Sequence, residues 1–123
     1  MRLNLGAGDS VIDGFEPRDI KRGDSLYPLP DPDASIEEIR ASHVLEHFSH
    51  TEVSAVINHW VRKLSPGGRL RIAVPDFEQI ARDYLDGKPI NIQGYVFGGH
   101  VDADDRHGCG FDRELLTELL INA

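Results

Sequence analysis

Apolar positions along the chain fall first into short runs and then into helical stripes. Leu3 to Leu5 is a brief apolar run closed by Gly6-Ala7-Gly8, the pattern of a buried strand ending in a glycine turn. Phe15 to Ile20 reads as a second short strand and Ile36 to Val44 as a third, although Glu37 and Glu38 interrupt the latter. Between them, Pro28, Pro30 and Pro32 keep Lys21 to Ala34 in extended loop. Val53, Val56, Ile57, Trp60, Val61 and Leu64 recur at three- and four-residue spacing, one stripe of an amphipathic helix. Ser49 and Glu52 before it have the spacing of a capping box.

Ser65-Pro66-Gly67-Gly68 stops that helix and turns the chain. Leu70, Ile72 and Val74 alternate with Arg69, Arg71 and Ala73, so a strand leaves the turn and ends at Pro75. Asp76 caps another helix, with Phe77, Ile80, Ala81, Tyr84 and Leu85 on one face. Residues 88–111 are glycine-rich with little periodicity and read as one long loop. Asp112 then caps a last helix, with Leu115, Leu116, Leu119 and Leu120 expected inward. Strands alternating with long helices define an α/β domain with parallel strands, whose ligands sit beyond the carboxyl ends of the strands.

Composition narrows the partners. With 123 residues the chain is one domain by length. Thirteen Lys and Arg against twenty-one Asp and Glu leave a net charge of −8, which argues against nucleic acid and anionic membranes as partners. No apolar stretch approaches the ~20 residues of a membrane span. Met1 to Gly6 lacks the basic-then-apolar pattern of a secretory leader. The single cysteine, Cys109, cannot pair internally, which fits a reducing, cytoplasmic setting; between Gly108 and Gly110 it reads as an incidental loop thiol.

Candidate chemistry gathers at the expected strand ends. Gly6 and Gly8 let the backbone turn tightly and approach a ligand, but Val11 stands where a dinucleotide fingerprint needs its third glycine. Asp19, ending the second strand, can accept hydrogen bonds from the paired hydroxyls of a ribose; otherwise it is a solvated charge beside Arg18 and Lys21. Asp24 could accept from a nucleobase amino group or be a plain acidic loop residue. Ser42 to His47 forms the third cluster.

Taken in order, Leu3-Asn4-Leu5-Gly6-Ala7-Gly8-Asp9, Asp19-Ile20, Leu29-Pro30, Ala41-Ser42-His43-Val44-Leu45-Glu46-His47-Phe48, Trp60 through Gly68 and Leu70 to Asp76 resemble the class I S-adenosylmethionine-dependent methyltransferases over residues 3–77. The segment around His107, Gly110-Phe111-Asp112 and Leu115 to Leu120 is also similar to that family. The resemblance implies a Rossmann-like, mostly parallel sheet of about four to five strands flanked by helices, without the family's C-terminal hairpin. It implies S-adenosylmethionine as cofactor. Gly6, Ala7 and Gly8 would lie under its methionine part, with Asp19 on the ribose. Ile20, Asp24 and Leu26 would border the nucleoside, and Ser42 and His43 would face the sulfonium. The implied reaction is methyl transfer to an unidentified acceptor, with His43 or His47 as general base. Glu46 would hydrogen-bond to nearby backbone.

Two departures bear on this. Only Asp9 to Gly14 separates the glycine turn from the second strand, where most members have a helix. The family's last two strands do not follow, so either the chain is a fragment or the bare edge beyond Leu70–Val74 is covered by another copy in a homo-dimer. Two other readings stand beside the enzyme. One is a catalytically incomplete methyltransferase-like module acting through its surface. The other is a zinc hydrolase using His43-x-x-Glu46-His47, which needs the motif inside a helix and Glu118 as third ligand. His100, Asp102, Asp104, Asp105 and His107 read as a solvated loop rather than a metal cluster.

Overall fold

The computed structural model describes residues 1–123 and has a Rossmann-like α/β architecture. Four parallel strands form one sheet: β1 (Arg2–Leu5), β2 (Glu16–Arg18), β3 (Ile36–Ser42) and β4 (Leu64–Ala73), in the order β2-β1-β3-β4. The helices are α1 (Val53–Lys63), α2 (Phe77–Leu85), α3 (Ile92–Phe97) and α4 (Arg113–Ile121). Single 3-10 turns occupy Ile20–Arg22 and Leu45–His47. No helix is long and apolar enough to cross a membrane.

Strand register explains the interrupted pattern of β3. Leu3 aligns with Ile39 and Leu70, and Leu5 with Ala41 and Ile72, giving one apolar face. Val53, Val56, Ile57 and Trp60 of α1 are buried in the same core, where full burial of each such side chain is worth about 1.5–3 kcal/mol. The Trp60 indole N–H donates to the Leu26 carbonyl at 2.8 Å, which ties the proline-rich loop onto α1. Arg2, Glu38 and Arg69 lie in register on the other face. Glu38, nearly buried, sits 2.6 Å from Arg71 and 3.9 Å from Arg2. Its charge is therefore neutralised across strands and does not break the strand. Arg18 of β2 forks onto Asp31 with bonds of 3.1 and 3.0 Å, and this pairing raises the guanidinium pKa.

Four elements differ from the sequence reading. Pairing already begins at Leu64: Ile36 partners Leu64 and Glu38 partners Arg69, so Ser65-Pro66-Gly67-Gly68 bulges out within β4 instead of preceding it. A Cβ on Gly68 would meet the Ser65 and Glu37 carbonyls, so the bulge needs glycine there. The 88–111 segment contains α3, capped by Asn91 Oδ1 accepting from the Gly94 N–H and ended by Gly98 at φ +85°. Six mostly exposed residues leave no periodic signature to read. On α4, Leu116 and Leu119 pack on the core whereas Leu115 and Leu120 are exposed, because its contact covers a single narrow stripe. At the capping box, Glu52 Oε1 accepts from the Ser49 N–H as expected, but the Ser49 hydroxyl serves Thr51.

Candidate functional site

The chain leaves β1 toward β2 on one side and later returns as β3 on the other, so the topological switch point lies between β1 and β3. Carboxyl ends of strands at such a point diverge and leave a crevice. A cleft of about 790 Å³ lies at these strand ends, inside the range of small-molecule sites. Gly6 from beyond β1, Asp19 and Ile20 from beyond β2, and His43 and Val44 from beyond β3 line it. Leu26 and Tyr27 border it, and residues 101–108 form its far wall, with Lys21 Nζ 3.5 Å from Asp102 across the gap.

Local geometry places each group. Gly6 turns the chain at φ +67°, and a Cβ there would overlap Val44 Cγ2, so any side chain would push the β1 and β3 tips apart. Gly8 also has positive φ, and its N–H donates to Asp19 Oδ2 at 2.8 Å. Asp19 Oδ1 takes the Lys21 N–H at 2.9 Å and caps the 3-10 turn. A carboxylate has about four acceptor positions, so lone pairs remain on both oxygens. Ile20 presents an exposed aliphatic side chain beside this acid.

Of the positions expected to meet a cofactor, Gly6, Asp19, Ile20, Leu26 and His43 share the cleft, and His47 joins them. Ala7, Gly8, Asp24 and Ser42 are not part of its lining. Asp24 instead accepts the Asp19 N–H at 2.9 Å, which buttresses the acid. Leu26 is largely a core residue.

The His43-x-x-Glu46-His47 segment is not helical throughout. His43 sits at φ +57°, and only Leu45–His47 makes a single 3-10 turn. The two histidines therefore do not share a helix face one turn apart, as the hydrolase arrangement requires. Glu118 is an exposed residue of α4 and joins no candidate ligand group.

Glu46 departs most from expectation. Its side chain makes no backbone hydrogen bond: Oε2 is buried without a partner, and Oε1 lies 3.5 Å from His43 Nδ1. The backbone carbonyl of Glu46 instead accepts from Gly108 at 2.7 Å and Cys109 at 3.4 Å. Together with His50 donating to the Gly108 carbonyl, these bonds strap the 106–109 loop onto the segment after β3. The approach needs glycine, since a Cβ on Gly108 would collide with the Phe48 carbonyl. His107 is thereby brought against His47, with ring centroids 5.2 Å apart. Of the loop residues read as solvated, His107 alone joins a group of potential metal ligands. Burial, and secondarily the Glu46 charge, push the Cys109 thiol up to about 11.

No family model, curated protein or solved structure matches this chain.

Proposed function

We propose that the chain is an S-adenosylmethionine-dependent methyltransferase of the class I kind. The observation that carries this reading is the common cleft of Gly6, Asp19, Ile20 and His43 at the β1/β3 switch point. These residues, expected to meet a nucleoside-bearing methyl donor, line one space whose volume is in the range of small-molecule sites. Bound there, the donor supplies an electrophilic sulfonium methyl for in-line transfer to an oxygen, nitrogen or carbon nucleophile.

The chain's own work is binding, alignment and proton removal. Asp19, fastened through both oxygens to backbone, offers its remaining lone pairs to the ribose hydroxyls. Ile20 and Leu26 border the nucleoside, and Ile20 supplies an exposed aliphatic surface. Gly6, turning tightly at the cleft, would lie under the amino acid portion of the donor. His43, exposed at the cleft beside Glu46, takes the acceptor's proton on its outer nitrogen. His47 is the second base candidate, because Nδ1 is engaged by the Arg106 carbonyl and Nε2 is left to accept. The β4 edge has no strand partner on its outer side, and self-association through it belongs to the same reading.

Calorimetric titration with S-adenosylmethionine and with its demethylated product tests the proposal. Heat of binding is expected for both, weakened at least tenfold in Ile20→Asp, a surface change that places a second carboxylate in the nucleoside's path. No heat with the intact protein would overturn the reading. Binding without methyl transfer to any acceptor class offered would support the interaction-module alternative instead.

A further inference from the structure

We propose that Glu46, His47 and His107 form a binding site for one divalent transition-metal ion of the zinc type, with an open coordination position toward the cleft. The site goes beyond the methyltransferase reading and does not depend on it. Each of the three side chains offers one ligand atom, and these atoms lie within 4.8 Å of one another. Small rotations bring such atoms to the separation of about 3.5 Å set by metal–ligand bonds of about 2.0–2.2 Å in tetrahedral geometry.

An independent observation points the same way. Glu46 is only 2% exposed, yet its Oε2 has no hydrogen-bond partner. A buried carboxylate oxygen left alone is unfavourable, and a metal cation is one of the few partners that compensates it. The other oxygen, 3.5 Å from His43 Nδ1, can keep that contact while Oε2 binds an ion. No donor in the fold reaches Oε2.

Both imidazoles have one ring nitrogen held by backbone and the other free to ligate. His47 Nδ1 lies 3.0 Å from the Arg106 carbonyl, and His107 Nδ1 lies 3.1 Å from the Tyr95 carbonyl. A carbonyl oxygen only accepts, so each Nδ1 carries the hydrogen and each Nε2 presents its lone pair. Metal-binding histidines are commonly held in this way, with the second ring nitrogen donating to backbone or carboxylate. Two imidazoles and a carboxylate suit zinc, cobalt(II), iron(II) or nickel(II) better than calcium or magnesium, which favour all-oxygen shells. His47 and His107 both line the large cleft, whereas Glu46 and His107 line a smaller cavity of about 210 Å³ behind them. An ion in that partition would face the cleft with its remaining positions, able to hold water or an acceptor oxygen. His47 Nε2 would then be occupied, leaving His43 as the base.

The test uses the full chain stripped with a chelator and titrated with zinc and cobalt(II) alone, without methyl donor. One ion per chain is expected, with cobalt absorption bands of a low-coordinate nitrogen- and oxygen-ligated centre. His107→Ala, on an exposed loop and expected to fold, should weaken binding by about 100-fold, and Glu46→Gln by at least as much. His100→Ala, on the same loop outside the cluster, should bind as the parent does. Lack of uptake at millimolar zinc by the folded parent would overturn the site, as would uptake unchanged by His107→Ala. These readouts stand whether or not S-adenosylmethionine binds.

Discussion

Asp19 Oδ2 accepts a hydrogen bond from the Gly8 backbone N–H at 2.8 Å, so the tip of β2 fastens the turn that leaves β1. The acid thus has two tasks: it shapes the glycine turn and, in the proposed function, receives the ribose. Asp24 holds it from behind through the Asp19 N–H.

Asp19→Ala removes the acceptor for two backbone donors, Gly8 and Lys21. A loss of about 1–3 kcal/mol in urea unfolding is expected, together with a more than tenfold loss of S-adenosylmethionine affinity in calorimetry. Asp19→Asn, with one carbonyl oxygen, should recover part of the stability. Unaltered stability in Asp19→Ala would refute the fastening role, and unaltered affinity the ribose role.

Gly6→Ala meets two obstacles, the left-handed backbone at φ +67° and the overlap with Val44 Cγ2. The backbone part is worth roughly 1–2 kcal/mol. Pairing the change with Val44→Ala relieves the overlap alone. A double-mutant cycle by thermal unfolding should therefore show the pair less destabilised than the sum of the single changes. Strict additivity would mean that the β1 and β3 tips part freely.

Cys109 should react slowly. With its thiol at about 11 rather than the ordinary 9.0, about 100-fold less thiolate is present near neutrality. Iodoacetamide labelling of chelator-treated protein should keep accelerating up to about pH 11, with unfolded protein levelling off earlier. Glu46→Gln should shift that profile only slightly, because burial is the larger cause. A profile levelling near pH 9 in the folded chain would contradict this.

His59 makes stability depend on pH. Its Nε2 accepts the Leu29 N–H at 2.8 Å, so protonation breaks a buried bond. With Nε2 accepting, neutral His59 carries its hydrogen on Nδ1, so the Arg62 contact at 3.2 Å is an approach of two donors rather than a hydrogen bond. Burial first, then the nearby Lys63 and Arg62 charges, hold the His59 pKa below 6.5. The folded state therefore binds protons less readily than the unfolded state. Stability is fully present above the unfolded value of 6.5 and falls as pH drops from there through the folded pKa. Thermal melts between pH 7 and 5 should decline more steeply for the parent than for His59→Gln. Equal slopes would show that His59 does not contribute.

Much of the scaffold was legible because it is local. The α1 stripe from Val53 to Leu64, the Asp76 and Asp112 caps and the β1 glycine turn depend on neighbours within a few residues, and periodicity and capping report such contacts directly. α3 was hidden because six mostly exposed residues make no stripe. The Ser65–Gly68 bulge was hidden because β-pairing from Leu64 onward is a property of β3 as well. Of the site, the glycine turn and Asp19 could be found from their order along the chain. Glu46 gave only an indirect sign, the His-x-x-Glu-His spacing, whose helical meaning the structure removes.

The sequence by itself determined an acidic α/β chain whose small and acidic residues fall at the tips of parallel strands, since strand and helix periods are short-range quantities. Tertiary structure alone decided that Gly8 and Asp19 bond, that Asp24 stands behind them, and that His107 meets His47 and Glu46 from about sixty positions away. Those meetings depend on loop closure and on the close backbone approach that Gly108 permits, and no periodic pattern along a chain records either.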